Sequence, residues 1–207
     1  MPFSVVDLKF AKDAIPPVSS KTMEIHHDRL YAGYVNKRNE IEELLKTVDR
    51  SKSVASYSAY RALKVDETFN ANGQILHELY FATISPVPKQ PSDNLEFVKK
   101  AKEDFGSWDA FIEDVIACAM AARGWAITAY DFRDGKIHNF LADAHNHGGV
   151  WETWPVWTID VYEHAYFIDF GSDRKSYITE IIKYADWDEI NNRFLKVRSI
   201  EKIINSR

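Results

Sequence analysis

An aspartate and a histidine four residues apart, Asp160 and His164, are the residues of this chain best suited to chemistry. They follow the apolar run 154–159, which is typical of a strand, so a carboxylate and an imidazole stand at a strand end. Both are ligand types for transition metals and form half of a candidate metal site. The other half must come from elsewhere, and His26 and His77, each in a helix-like pattern, are the two candidates.

These two histidines lie on separate helical segments, and an antiparallel helix pair can bring two such side chains to one point. The C-terminal half of the chain can bring Asp160 and His164 to the same point. Three imidazoles and one carboxylate suit a first-row transition metal such as iron or manganese, and are too rich in nitrogen for magnesium or calcium.

Each histidine also has a purely structural explanation. The Asp-x-x-x-His spacing often arises by chance. We expect His27 to be solvated or an outer residue rather than a ligand, His138 to be an exposed strand residue, and His145 and His147 to be loop residues. The metal hypothesis therefore depends on the whole set of residues and not on any single one.

Composition places the chain among ordinary globular proteins. It has 207 residues, of which 45% are hydrophobic and 28% charged, enough for one or two domains with a sizeable core. It shows no membrane-length apolar run and no secretory signal, and its single cysteine, Cys118, fits a reducing cytoplasm. The net charge of -5 argues against nucleic-acid binding. We therefore expect a cytoplasmic protein without a nucleic-acid or membrane partner.

The hydrophobic pattern predicts two long helices in the first part of the chain. Helical spacing runs from about residue 21, after a cap at Ser19 or Ser20, to about residue 50, and again from about 67 to 84. A proline-rich stretch, 87–92, is the best linker candidate. We therefore predict an N-terminal domain, residues 1–88, that is an antiparallel helical hairpin.

The pattern changes period in the second predicted domain, residues 89–207. Helical segments are predicted at about 93–104, 107–122, 174–185 and 187–197, and strands at 124–132, 136–142 and 154–159. The turn 133–135 joins the first two strands into a hairpin. The fold class is therefore α+β, a helical hairpin followed by a C-terminal α/β domain with a three-stranded antiparallel sheet.

Several longer motifs contain these histidines or accompany them in order along the chain: 22–27 with 34–36, 76–81, 105–107, 124–126 and 160–166. In order and spacing they resemble the iron/manganese superoxide dismutases over nearly the whole chain. The resemblance implies disproportionation of superoxide to oxygen and hydrogen peroxide at one mononuclear iron or manganese site per chain. It implies that the metal ligands are His26, His77, Asp160 and His164, with a solvent molecule as the fifth ligand.

The resemblance also assigns roles to residues around the metal. Tyr34 would lie at the mouth of the site and relay protons, and Trp125 would pack over the metal. In this family a glutamine or histidine bonds the solvent ligand, either from four residues before the second ligand or from the loop before the third strand. The first position here is Gly73, so the resemblance points to His145 and favours iron.

The resemblance further implies a two-fold homodimer, with a homotetramer left open. Glu163 would reach across the interface to the partner's His164. The chain departs from the family pattern at the substrate gateway, where Leu30 and Phe167 replace a hydrogen-bonded histidine and tyrosine. Phe81 replaces the usual tryptophan after the second ligand. These changes predict an apolar gateway and leave the four ligands in place.

Two other functions stay open at this point. A metal-dependent hydrolase would need an open coordination position, a general base and a sizeable substrate pocket, whereas the many aromatic residues, 14% of the chain, favour a small substrate. A catalytically silent relative that binds metal structurally would be expected to lose a ligand or Tyr34, and this chain keeps them all.

Overall fold

The computed structural model describes residues 2–205. Its helices are α1 (Ser20–Met23), α2 (Ala32–Thr47), α3 (Ala59–Ala82), α4 (Glu96–Phe105), α5 (Trp108–Ala121), α6 (Phe167–Phe170), α7 (Arg174–Ile182) and α8 (Trp187–Asn205). Its strands are β1 (Trp125–Asp131), β2 (Lys136–Ala142) and β3 (Thr153–Asp160), and its shorter helices are a π-helix (Glu24–Tyr31) and two 3-10 helices (Arg50–Lys52 and Glu163–Ala165). The outermost residues of the two predicted domains, 1 and 206–207, lie outside the described residues.

The first long helical segment is assembled from α1, the π-helix and α2, which follow one another without a break. It begins at Ser19, whose hydroxyl accepts the backbone N–H of Thr22 at 3.2 Å, as an N-cap residue does. Helix α3 packs back along α2. The predicted helical hairpin is therefore confirmed, but the eight-residue π-helix within it was not predicted.

Several helix boundaries differ from the prediction. Helix α3 begins at Ala59 and not at about 67, because Ser58 caps it by accepting the N–H of Arg61 at 3.2 Å. Residues 59–66 are mostly exposed, so little of this first part of α3 packs against the rest of the protein. Helix α7 ends at Ile182 rather than about 185, and α8 runs to Asn205 rather than about 197.

The sheet has three antiparallel strands in the order β2-β1-β3, which confirms the predicted C-terminal architecture. Its register pairs Trp125, the first residue of β1, with Ala142 on one side and Asp160 on the other. The start of the central strand and the end of β3 therefore lie side by side. This register places the Trp125 indole next to the residues that follow β3.

The two halves of the chain are joined by backbone hydrogen bonds where α3 ends. Ser85 N–H donates to the carbonyl of Tyr184 at 2.7 Å, and Asp186 N–H donates to the carbonyl of Thr83 at 2.8 Å. The proline-rich stretch 87–92 follows and is mostly exposed. The domain boundary at 88 stays a prediction. Within the described residues, no helix has both the length and the apolar composition needed to cross a membrane.

Candidate metal centre

Four side chains predicted to bind metal converge on one point of the fold. Asp160 Oδ2 lies 3.0 Å from Nε2 of His26, 3.5 Å from Nε2 of His77 and 3.2 Å from Nε2 of His164. The four ligand atoms all lie within 4.8 Å of one another. We refer to these four residues as the metal centre. Its geometry matches the grouping expected from the sequence.

Separate segments of the chain supply these side chains. His26 lies on the π-helix and His77 on α3, one on each arm of the helical hairpin. Asp160 is the last residue of β3, and His164 lies on the 3-10 helix Glu163–Ala165 just beyond it. A π-helix is rare and often marks a functional site, because its wider turn shifts the direction of the side chains that follow.

Local hydrogen bonds orient two of these side chains toward the centre. His77 Nδ1 donates to the carbonyl of Gly73 at 2.6 Å, so the lone pair of the neutral ring is on Nε2. Asp160 Oδ1 accepts the backbone N–H of Tyr162 at 2.9 Å, which leaves Oδ2 to face the histidines. Tyr177 also donates its hydroxyl to the Asp160 carbonyl at 2.8 Å and holds the end of β3 in place.

The chemistry of the donor set fits a transition-metal ion. His77 is fully buried, and its Nε2 has no hydrogen-bond partner among the described residues. Leaving a buried polar atom unpaired is costly, so such an atom calls for a bound group. Three imidazole nitrogens and one carboxylate oxygen are the ligands that iron and manganese accept. The residues present therefore fit the metal implied by the sequence.

The pKa shifts of His26, His77 and Asp160 favour the binding of a cation. Burial lowers the pKa of His26 and lowers that of His77 well below its usual value, so both rings stay neutral and able to bind metal. Burial alone would raise the pKa of Asp160, but the neighbouring His164 and His26 hold it far below its usual range. Burial opposes charge on His164, yet Asp160 raises the pKa of this imidazole. The centre therefore presents a permanent carboxylate charge.

His145 lies beside the centre, in the loop between β2 and β3. Its Nδ1 accepts the indole N–H of Trp125 at 2.9 Å, so the proton of the neutral ring is on Nε2. Burial lowers the pKa of His145 to about 4, which keeps the ring neutral at pH 7. Nε2 is buried and has no partner among the described residues. The Nε2–H is therefore a free hydrogen-bond donor. The His145 ring centroid lies 5.7 Å from that of His77.

The backbone at Gly73 makes room for this arrangement. A Cβ at Gly73 would lie 2.9 Å from Cγ of Tyr34 and 3.3 Å from Cδ2 of His145. Both distances are shorter than ordinary carbon contacts. The space beside Gly73 is therefore filled by the rings of Tyr34 and His145, and a larger residue on α3 would collide with both.

Tyr34 packs against both His77 and His145. Its ring centroid is 5.2 Å from that of His77 and 4.6 Å from that of His145, in an edge-to-face contact with the latter. Burial and the nearby Asp160 raise the pKa of the Tyr34 hydroxyl to about 12. The hydroxyl therefore stays protonated at pH 7 and can donate a proton or a hydrogen bond.

Aromatic rings enclose the histidines, as the sequence predicted. Trp125 lies edge-on to His77 with centroids 5.0 Å apart, and Phe81 lies edge-on to His26 at 5.0 Å. Sequence reasoning missed the role of Tyr162, whose ring stacks on that of His164 at 5.2 Å. Its position inside the Asp-x-x-x-His motif was the available signal.

The remaining histidines do not join the metal centre. His27, expected to be solvated or an outer residue, is 5% exposed, and its ring nitrogens bond to the Val6 carbonyl and the Asp28 carboxylate. His138 is partly exposed and pairs with a carboxylate of its own hairpin. His147 is exposed. A histidine that is close in sequence to a residue of the metal centre therefore need not face that centre.

The residues expected at a dimer interface lie on the surface of the single chain. Glu163 is exposed, and no hydrogen bond or ion pair to its carboxylate is present in the described part of the chain. Phe167 and Ile168 are 50% and 56% exposed, which is unusual for large apolar side chains. Leu30 is half-buried. These residues belong to, or follow closely, the two segments that carry His26 and His164.

Comparison with known proteins agrees with this geometry. The alpha-hairpin domain of the iron/manganese superoxide dismutases matches residues 2–85, and the C-terminal domain of the same family matches residues 93–193. The superoxide dismutase [Fe] of Aquifex pyrophilus is 43% identical over 194 residues, covering 89% of this chain and 90% of that protein. The superoxide dismutase [Mn] 1 of Halobacterium salinarum is 33% identical over 194 residues, covering 93% and 94%.

The helical hairpin, the three-stranded sheet and the grouped histidines define a metal-dependent oxidoreductase. The chain belongs to the iron/manganese superoxide dismutase family. It is an enzyme whose reaction is the disproportionation of superoxide to oxygen and hydrogen peroxide, as the sequence predicted. The alternative of a metal-dependent hydrolase gains no support from these matches.

Proposed function

We propose that His26, His77, Asp160 and His164 hold one metal ion per chain and that iron is the favoured metal. The observation that carries this proposal is the convergence of all four ligand atoms within 4.8 Å, with Nε2 of buried His77 making no hydrogen bond to the described residues. A bound iron or manganese ion would supply the one-electron redox chemistry that disproportionation of superoxide requires. The protein supplies the ligands and the protons.

In this proposal Tyr34 relays protons, and His145 hydrogen-bonds the solvent ligand. His145 offers an N–H donor at Nε2, and Trp125 fixes that tautomer by donating to Nδ1 at 2.9 Å. A solvent molecule beside the metal would accept the Nε2–H hydrogen bond, and its basicity would depend on this bond. Tyr34, whose hydroxyl stays protonated, would pass protons from bulk water toward the same solvent molecule. The aromatic rings around the histidines restrict the site to a small substrate.

Iron is favoured by two observations. Two relatives at 43% identity carry the name superoxide dismutase [Fe], whereas the relatives named as manganese enzymes are 30–34% identical. The outer hydrogen bond comes from His145, with Gly73 on α3, and the family resemblance associates this combination with iron-using or metal-tolerant members. Manganese supports the same ligand set, so the difference must come from residues around the ligands.

The metal assignment is tested by removing the metal and rebuilding the protein with one metal at a time. Apoprotein loaded with iron should consume superoxide, with about one iron per chain by elemental analysis. A parallel sample loaded with manganese, with its metal content verified in the same way, provides the comparison. High activity with manganese and none with iron would refute the preference for iron without affecting the ligand set.

A two-fold homodimer is the proposed assembly. Glu163 is exposed and has no partner within the described chain, while Nδ1 of His164 makes no hydrogen bond to the described residues. A two-fold axis would let each Glu163 accept the N–H of the partner's His164, since such contacts occur twice. The exposed Phe167 and Ile168 would become buried at the same interface. A homotetramer would need a second contact surface.

The enzyme is proposed to act in the cytoplasm. The support is its single cysteine, Cys118, half-buried on α5, where burial raises the thiol pKa to about 11. A thiol of this kind is unreactive and has no partner for an internal disulfide. Measuring the enzyme in separated cell fractions would decide the location.

A further inference from the structure

One carboxylate, Asp169, connects the segment that carries His26 to the segment that carries His164. Asp169 Oδ2 accepts the backbone N–H of Ser19 at 3.0 Å and the hydroxyl of Thr22 at 2.7 Å. Among the described residues, these are the only hydrogen bonds between residues 19–31 and residues 161–170. The two segments lie far apart in the amino-acid sequence.

The Ser19 end of this connection is coupled to His26 by the helix. Ser19 is the N-cap of α1, and its hydroxyl accepts the N–H of Thr22. Thr22 is fully buried and lies four residues before His26, so both side chains project from the same face of the helical segment. Movement of this helix start relative to its neighbours would therefore move the His26 imidazole.

The other end is coupled to His164 by a short stretch of chain. Asp169 lies on α6, which follows the 3-10 helix of His164 directly, and backbone bonds from Tyr166 N–H to Glu163 and from Asp169 N–H to Tyr166 make this stretch continuous. The His26 and His164 rings have centroids 4.9 Å apart. A carboxylate at a helix start is also favoured by the helix dipole.

We propose that Asp169 is a positioning residue for the metal centre: by fixing the start of the His26 helix to the His164 segment, it helps to hold these two imidazoles at their spacing around Asp160. The proposal rests on the metal-ligand assignment made above. Among the described residues the Asp169 carboxylate bonds to Ser19 and Thr22 and to none of the four proposed ligands, so it acts through Thr22 and Ser19. Ligands that are fixed in this way lose metal slowly, because release requires one of them to swing away.

The test compares variants of the metal-loaded protein, carrying whichever of iron and manganese the purified protein retains. Asp169→Ala removes both hydrogen bonds, Asp169→Asn keeps an oxygen that can accept both, and Thr22→Val removes the hydroxyl donor with little change of shape. Asp186→Ala is the matched control, because Asp186 also accepts a backbone N–H at a helix start, that of Glu189 at 3.1 Å, but bonds to neither ligand segment through its side chain. The measurements are the rate of metal release into excess chelator and the visible spectrum of the oxidised protein.

Asp169→Ala should release metal about tenfold faster than the wild type and should change the spectrum, in line with the loss of other outer contacts around metal sites. Thr22→Val should change the release rate and the spectrum in the same direction, but by a smaller amount. Asp169→Asn should leave both close to their wild-type values. Asp186→Ala should leave both unchanged. The proposal fails if Asp169→Ala and Thr22→Val match Asp186→Ala in release rate and spectrum. His26→Ala, measured alongside, tests the ligand assignment separately, since retention of metal there would overturn that assignment whatever Asp169 does.

Discussion

Two groups of histidine and carboxylate side chains in the described structure have ligand atoms close enough to share one cation. One is the metal centre. The other, which we call the hairpin cluster, consists of Asp131, Asp134 and His138 on the β1–β2 hairpin. The metal centre is almost wholly buried, whereas Asp134 and the side chain of His138 are exposed to solvent. The distances between ligand atoms therefore do not distinguish the metal centre from the hairpin cluster.

The ligand atoms of the hairpin cluster already have partners. His138 Nε2 lies 2.9 Å from Asp134 Oδ2, and Asp134 Oδ1 accepts the backbone N–H of Lys136 at 3.0 Å. Asp131 Oδ1 accepts the backbone N–H of Arg133 at 2.7 Å. All of these bonds are local and shape the hairpin turn. These ligand atoms are therefore already hydrogen-bonded, and the cluster is open to solvent.

The metal centre differs because its atoms are buried and some lack partners. Nε2 of His77 is buried without a hydrogen bond in the described chain, although an unpaired buried polar atom normally destabilises a fold. A fold that tolerates this gains compensation from a bound ion. A group of close ligand atoms that is buried and includes an unsatisfied atom therefore supports a metal site, and a group that is exposed and already hydrogen-bonded does not.

The largest effect is expected when a ligand of the metal centre is removed. His77→Ala deletes the orphaned Nε2, and Asp160→Ala deletes the only carboxylate, so each variant should lose its metal and with it all dismutase activity. Elemental analysis of the purified variants and a superoxide-consumption assay give the answer. Full activity in either variant would remove that residue from the ligand set.

The next largest effect is expected at His145. His145→Ala removes the Nε2–H donor but no metal ligand, so turnover should fall by about 10–100-fold while the metal stays bound. His147→Ala is the matched control, because His147 lies in the same loop but is exposed. A wild-type rate in His145→Ala, or an equal loss in His147→Ala, would contradict the assigned role.

The elements that local sequence patterns specify were predicted well. The sheet and the helical hairpin follow from apolar periodicity. The set of four ligands is what the family resemblance implies, and it stays a prediction. The start of α3 was misplaced because it is set by the Ser58 cap and not by a buried face, since residues 59–66 are mostly exposed. The π-helix Glu24–Tyr31 and the contacts of Asp169 were not predictable, because they depend on partners that only the tertiary structure brings together.

A smaller effect, on both dimer stability and metal retention, is expected at Glu163. Glu163→Ala removes the proposed acceptor for the N–H of the partner's His164, so the dimer should weaken and metal should leave about tenfold faster. Sedimentation across a range of concentrations and metal release into chelator measure the two effects. Glu180→Ala, which removes an exposed carboxylate on α7, is the control. An undisturbed dimer with full metal content would place the interface elsewhere.

Gly73 offers a finer test of how closely the rings beside the metal centre are packed. The added Cβ of Gly73→Ala would push against Tyr34 and His145, so turnover should fall, though by less than the ~100-fold that a 1 Å misplacement can cost. Gly33→Ala is the control, because nothing lies within 4 Å of the added Cβ. It should keep full activity and gain about 0.5–1 kcal/mol of stability, as helical Gly→Ala changes do. Equal activities in the two variants would mean that the rings move aside freely.

The smallest effect is expected at the hairpin cluster. His138→Ala removes an exposed ion pair with Asp134, and such pairs contribute about 0–1 kcal/mol to the free energy of unfolding. The metal content per chain and the rate of superoxide consumption should be unchanged, because no buried atom loses its partner. Elemental analysis, the activity assay and the urea midpoint of the metal-loaded protein measure these quantities. The contrary result would be a second metal ion in the wild type that is missing from His138→Ala. It would show that exposed, already hydrogen-bonded carboxylates can hold a cation here, so that hydrogen-bond satisfaction does not distinguish the two groups.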